Sequence, residues 1–265
     1  MNTMGLICAL ALLAWPQAVQ AQSAQQLFQT GKDHSMMGED APALVAYEKA
    51  AALGLSDAAH MAAQSWHYGW TGIRNFRKAA SYYDQVIAGS DSAYTVQEAK
   101  TQRQAMLGEL GDLAFDAARK RDLSTAERYY NLGVELGDGS ALGNLAHFYE
   151  TGRFGWPRDE VKARALYERL AEQGPNDTGL WALGLMYKEG RGGGTDYARA
   201  AAAFQAMVDM GSLSGNMEMA KLYLEGKGVR QDRGIARELL RRPCDLGIQE
   251  ACDLGGLTPA PLPGS

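Results

Sequence analysis

One triple of residues recurs along this 265-residue chain and restricts its possible folds more than any other feature. Asp or Asn, a side chain that can accept hydrogen bonds from a helix start, is followed four residues later by a small residue and four after that by a large apolar one. The copies are Asn75/Ala79/Tyr83, Asp122/Ala126/Tyr130, Asp159/Ala163/Tyr167, Asp196/Ala200/Phe204 and Asp232/Ala236/Leu240, with a weaker one at Glu39/Ala43/Tyr47. The large residue recurs at steps of 36, 47, 37, 37 and 36, and glycine follows it at Gly54, Gly89, Gly137, Gly174, Gly211 and Gly247. A self-similar period of this size belongs to stacked helix pairs, in which each hairpin buries its apolar face on its neighbours. The expected fold is therefore all-α, a solenoid of about six helical hairpins.

The stretch Leu222–Cys244 shows one such joint. A helix ends at Gly226, where glycine takes the left-handed conformation without a Cβ penalty, and after a short turn Asp232 caps the next helix. Tyr223-Leu-Glu-Gly-Lys-Gly-Val-Arg-Gln-Asp232, Tyr187-Lys-Glu-Gly-Arg-Gly192 and Tyr149-Glu-Thr-Gly152 resemble the Sel1-like repeat, a relative of the tetratricopeptide repeats. The resemblance covers nearly all of the chain after its first segment. It implies a right-handed α-α superhelix whose concave face, lined by the first helices, binds a protein or peptide partner, and it implies no reaction.

Before the repeats, the first 21 residues carry no charged side chain, Leu6–Trp15 is apolar, and Val19-Gln20-Ala21 places small residues before a cleavage point. That pattern reads as a secretory signal peptide cut after Ala21, which places the mature chain in the periplasm or outside the cell. The apolar run is shorter than the roughly 20 residues that span a bilayer, so no stable membrane insertion is expected after signal removal. Two cysteines then remain, Cys244 and Cys252, and in an oxidising compartment they are expected to form a disulfide. A metal pair is the rival reading, but His34, His60, His67 and His147 lie far away in sequence. The C-x7-C spacing is similar to that of secreted cysteine-rich Sel1-like proteins, where a bridge ties one hairpin to the next helix. With 26 basic and 31 acidic residues, a net charge of −5 and no basic stripe, nucleic-acid binding is not expected.

The chain divides by these signals into a signal peptide (1–21), an atypical hairpin (22–56) and a repeat (57–92). A divergent repeat (93–139), three regular repeats (140–176, 177–213, 214–249) and a C-terminal stub with a disordered tail (250–265) complete it. In the first hairpin a helix starts at Ala24–Thr30, and Gly31 to Asp40 reads as a polar turn. The step of 47 implies about ten extra residues in the divergent repeat, which reads as one long first helix with Met106, Leu110, Leu113 and Ala117 on its apolar face. Its Tyr-x-x-Gly ending is missing.

No catalytic motif is present: no His-Glu-x-x-His, no phosphate loop, no Gly-x-Ser-x-Gly and no Ser-x-x-Lys. No cofactor or metal is implied. His60 and His67, seven apart, share a helix face, but with no carboxylate at that spacing they read as packing or surface residues, since zinc needs three protein ligands or more. The recurring Tyr and Phe are core positions, and Trp156 reads as a loop plug. Trp70 and Phe154 fit no repeat position and lie in turns, so they are the candidate partner-contact residues. The function expected is a non-enzymatic interaction scaffold or regulator of the bacterial envelope. The alternative, implied by the cysteine-rich relatives, is a hydrolase acting on cell wall or β-lactams.

Overall fold

The computed structural model describes residues 23–174 and 176–259. The proposed cleavage point at Ala21 and the last six residues of the tail lie outside them. Among the described residues there are thirteen α-helices and no strand. The chain divides between Leu110 and Gly111 into two compact units.

The first unit holds α1 (23–36), α2 (Asp40–Ala52), α3 (Ser56–Tyr68), α4 (Phe76–Gly89) and the beginning of α5 (Ala93–Arg119). The polar turn expected from Gly31 onward is instead helix as far as residue 36. Packing overrides the glycine signal here. A Cβ on Gly31 would lie 2.5 Å from the Tyr47 ring, so the position is glycine to admit the ring and not to break the helix. The weaker capping copy also behaves differently, since Glu39 precedes α2 but its side chain makes no capping bond. Helix α5 is one continuous helix of 27 residues, about twice the 13 of α3.

The second unit continues through α6 (Leu123–Glu135), α7 (Gly139–Thr151), α8 (Glu160–Gln173), α9 (Asp177–Glu189) and α10 (Tyr197–Asp209). It closes with α11 (Leu213–Glu225), α12 (Arg233–Asp245) and α13 (Gln249–Gly255). Odd-numbered helices are the first members of hairpins and even-numbered ones the second. Asn75, Asp122, Asp159, Asp196 and Asp232 all cap their helices through the side-chain oxygen, each accepting from the backbone N–H three residues on. The small and large residues of the triple are buried in every copy, from Ala43/Tyr47 to Ala236/Leu240. Gly69, Gly152, Gly190 and Gly226 end their helices in the left-handed conformation.

Where the divergent repeat lacks that glycine, Arg121 itself takes a φ of 60°. The turn there is cut short, because Asp122 comes at once as the next cap. In the regular repeats the longer turn has a purpose. A Cβ on Gly192 would meet the Glu160 carbonyl oxygen at 2.2 Å, and one on Gly228 the Tyr197 carbonyl oxygen at 2.1 Å. These turns lie directly on the start of the preceding repeat's second helix, an approach only glycine permits.

A second joint ties repeats together. The aromatic that ends a first helix donates to a carboxylate of the preceding repeat: Trp66 Nε1 to Glu48 at 2.9 Å, Tyr149 Oη to Glu127 at 2.7 Å, Tyr187 Oη to Glu168 at 2.5 Å. A cation three residues past the next cap then covers the ring: Lys78 over Trp66, Lys162 over Tyr149, Arg199 over Tyr187. At the C-terminal end Cys244 and Cys252 are joined by a disulfide with Cα atoms 4.8 Å apart, both side chains buried against Ala220, Leu240 and Ala251. The expected disordered tail starts later than its composition suggests. Leu254 and Gly255 are helical, and the Leu257 N–H donates to the Cys252 carbonyl at 2.9 Å.

Candidate interaction face

Each buried tyrosine of the triple aims its hydroxyl at the first-helix side, where one residue decides what it finds. That residue stands two places before the glycine that ends the first helix. In the second repeat it is His67, whose Nδ1 lies 3.2 Å from Tyr83 Oη; in the fourth it is Glu150, which accepts from Tyr167 Oη at 2.9 Å. Where the large residue is Phe204 or Leu240 and has no hydroxyl, the position carries Lys188 or Leu224. Tyr130 has no such partner. Its hydroxyl is buried and unpaired, and burial pushes its pKa up to about 12.

In the first unit these groups extend into a polar network. Gln102 of α5 offers one carbonyl oxygen to Tyr83 Oη at 3.1 Å, Gln64 Nε2 at 3.0 Å and His60 Nε2 at 3.2 Å. His67 faces Glu109 through Nε2 at 3.3 Å, and Arg74 closes the network by donating to Glu109. The carboxylate selects the tautomer with the proton on Nε2. Tyr83 then shares its one proton between His67 Nδ1 and Gln102. Burial lowers the His67 pKa against the opposing pull of Glu109, while the hydrogen bond from Arg74 leads in holding Glu109 below the usual carboxylate range. Burial also raises the Tyr83 phenol well above its ordinary value.

Carboxylate, imidazole and hydroxyl in a row is the order of a nucleophilic triad. Tyr83 has no exposed surface and its proton is committed, so no substrate carbonyl reaches it. The two histidines do share a face, as their spacing requires, and both serve the network. Among the described residues no group of three or more His, Cys, Asp or Glu is placed to hold a metal ion.

The second unit carries an open site. Between α7 and α9 lies a groove of about 250 Å³ with Tyr167 and Leu170 as its floor and Ser140, Asn144, His147 and Thr178 on its walls. It is open because α7 has Gly143 nine residues before its terminal glycine, where α9 and α11 have Trp181 and Met217. No Lys, Arg, Asp or Glu lines it. Alongside, ion pairs link successive repeats, Arg191 after α9 to Glu150 at 2.5 Å, Lys188 to Glu218 at 2.6 Å and Lys221 to Glu250 at 3.0 Å, while Lys221 also pairs with Glu218 of its own helix at 2.8 Å. Burial disfavours the Glu218 charge, but hydrogen bonds from Lys188 and Lys221 outweigh it and hold the carboxyl below its ordinary pKa.

The two aromatic contact candidates separate. Trp70 is 40% exposed and stacks on Tyr68, itself 50% exposed, with ring centroids 6.1 Å apart; Ile73 beside them is 66% exposed. Phe154 is half-buried, wedged edge-on against Phe115 and tilted against Phe148, so it packs rather than displays. It holds a φ of 59°, a strained conformation for a bulky residue, because those rings fix its side chain. Trp156 is buried, as a loop plug should be. Sequence reasoning missed Gln102 and the groove. The groove had a signal, the lone glycine in a column that otherwise holds His60, Trp181 and Met217; the Gln102 contact spans 42 residues to His60 and had none.

The Sel1 repeat family model matches residues 56–86, 104–138, 139–175, 178–212 and 213–248. The first hairpin and the opening of α5, with Gln102, fall outside these stretches. No curated protein sequence matches the chain. Among solved structures, a Sel1 repeat protein from Oxalobacter formigenes is 19% identical over 92% of this chain and 68% of its own, with a TM-score of 0.49. The protective antigen c5321 of uropathogenic Escherichia coli, which has an SLR fold, is 16% identical over 89% of this chain and 64% of its own, with a TM-score of 0.37. The immunity protein Pa5087 from Pseudomonas aeruginosa is 18% identical over 91% of this chain and 84% of its own, with a TM-score of 0.33. Five matched repeats spanning well over half of its length identify this chain as a member of the Sel1 repeat family.

Proposed function

We propose that this protein is an exported, non-catalytic scaffold of the bacterial envelope that binds a protein or peptide partner on the face of its first helices, the concave face of such a solenoid. The open groove between α7 and α9 carries the reading: a cavity on the side where repeat proteins of this architecture recognise partners, with hydrogen-bonding walls and an apolar floor. The exposed pair Tyr68 and Trp70 offers a second contact of the kind that anchors interfaces. Export is supported by the uncharged first 21 residues and by the buried cysteine pair. In the histidine-centred network that resembles a catalytic arrangement, the hydroxyl in the nucleophile's place belongs to the fully buried Tyr83, which favours a scaffold over a hydrolase.

In-cell crosslinking with mass spectrometry tests the proposal. A dominant partner captured by the wild-type chain and lost on Gly143→Trp or Trp70→Ala supports it. Capture of nothing above background, or turnover of a chromogenic β-lactam that survives stringent purification, overturns it.

A further inference from the structure

The filled network of the first unit and the open groove of the second are built on the same repeat positions. Counted from the glycine that ends each first helix, His60 corresponds to Gly143 and Gln64 to His147; counted from each second-helix cap, Tyr83 corresponds to Tyr167. In the second repeat those three positions converge on one group, the side-chain carboxamide of Gln102. That group arrives because α5 is long enough to bring it there. In the fourth repeat the next first helix is of ordinary length, no segment among the described residues fills the place, and the positions line an open cavity.

The protein thus contains a filled example of its own empty site. We propose that the groove between α7 and α9 receives the side-chain carboxamide of a glutamine or asparagine on an extended partner segment, at the repeat positions where the second repeat holds Gln102. This rests on the scaffold reading and names the chemistry of its partner. The walls supply what a neutral carboxamide needs. His147, half exposed, stands where Gln64 donates to Gln102, and Asn144 adds an amide donor beside it. Where Tyr83 donates to the Gln102 oxygen, the Tyr167 proton is already given to Glu150, so the tyrosine's role is reversed and its oxygen is left as an acceptor for the incoming NH2 group. A carboxylate finds no Lys or Arg in the lining to meet it. An apolar side chain of equal length leaves the amide and hydroxyl walls unpaired, the circumstance in which polar sites discriminate most strongly.

The test uses the full mature chain, labelled with nitrogen-15, and three small probes: the acetylated, C-terminally amidated forms of glutamine, glutamate and norleucine. The glutamine probe is expected to shift the backbone signals of Gly139, Gly143, Asn144 and Gly179 with saturation in the millimolar range. The other two should bind at least about tenfold more weakly. Gly143→Trp should abolish the response; should that variant not fold, His147→Ala, on an exposed position, should weaken it several-fold. Equal responses to all three probes, or none to glutamine, overturn the proposal. The scaffold reading fails separately, through crosslinking that captures no partner while the glutamine response persists.

Discussion

Tyr83 and Tyr130 occupy the same repeat position and are equally buried, yet they should respond oppositely to loss of the hydroxyl. Tyr83 joins His67 to Gln102, so Tyr83→Phe leaves the buried His67 Nδ1 without a donor and should cost about 1–3 kcal/mol. Tyr130 pairs with nothing, and Tyr130→Phe should be neutral or stabilising in the same urea titration. A destabilised Tyr130→Phe would mean that its hydroxyl has a partner. His67 adds a pH dependence. Its pKa is lowered from 6.5 in the folded chain, so the unfolded chain binds the proton more readily. Stability is therefore complete above about 6.5, the unfolded value, and declines as pH falls below it towards the folded pKa. His67→Gln should flatten that part of the profile, and an unchanged acid slope would assign it to other groups.

At the scale of elements, α5 shows how local signals and packing divide the work. Its ending lacks glycine, and Arg121 holds a left-handed conformation that costs a non-glycine residue roughly 1–2 kcal/mol. Arg121→Gly should raise the melting temperature by a few degrees in calorimetry; no change would mean the turn relaxes without strain. Caps, triples and the helical periodicity of α5 are all short-range patterns, and all could be read along the chain. The fate of Gly31 could not, because what keeps it helical is a ring sixteen residues away. Nor could the packing of Phe154, whose neighbour Phe115 belongs to another repeat. The other end of the chain offers a cleaner lever. Opening the Cys244–Cys252 loop by Cys252→Ser should cost about 2–3 kcal/mol in the chain-entropy model. Hydrogen exchange should show the loss confined to α12 and α13, and a uniform loss across the second unit would contradict it.

For the molecule as a whole, the repeat count and the family were legible because a solenoid writes its architecture into sequence once per period. The proposed interaction site was not, because it lies where one repeat departs from the others: a glycine replaces a large side chain, or a long helix arrives where a short one would stop. The proposed destination is testable without any partner. The mature protein recovered from the periplasm should begin at Gln22, which intact mass measurement reads directly. A retained leader would place the chain elsewhere and remove the rationale for an oxidised cysteine pair.

The joints between repeats have a polarity. Carboxylates Glu48, Glu127 and Glu168 sit on the earlier hairpin of each pair, while the aromatic and the covering cation both come from the later one. The glycine turns likewise settle onto a helix start that precedes them in the chain. For a protein threaded through a membrane from its N-terminus, each hairpin would emerge to find its docking surface already laid down, and would complete its joint before the next hairpin arrived. On the proposed export route assembly would run in one direction, like courses of brick, with the disulfide as the last stone set.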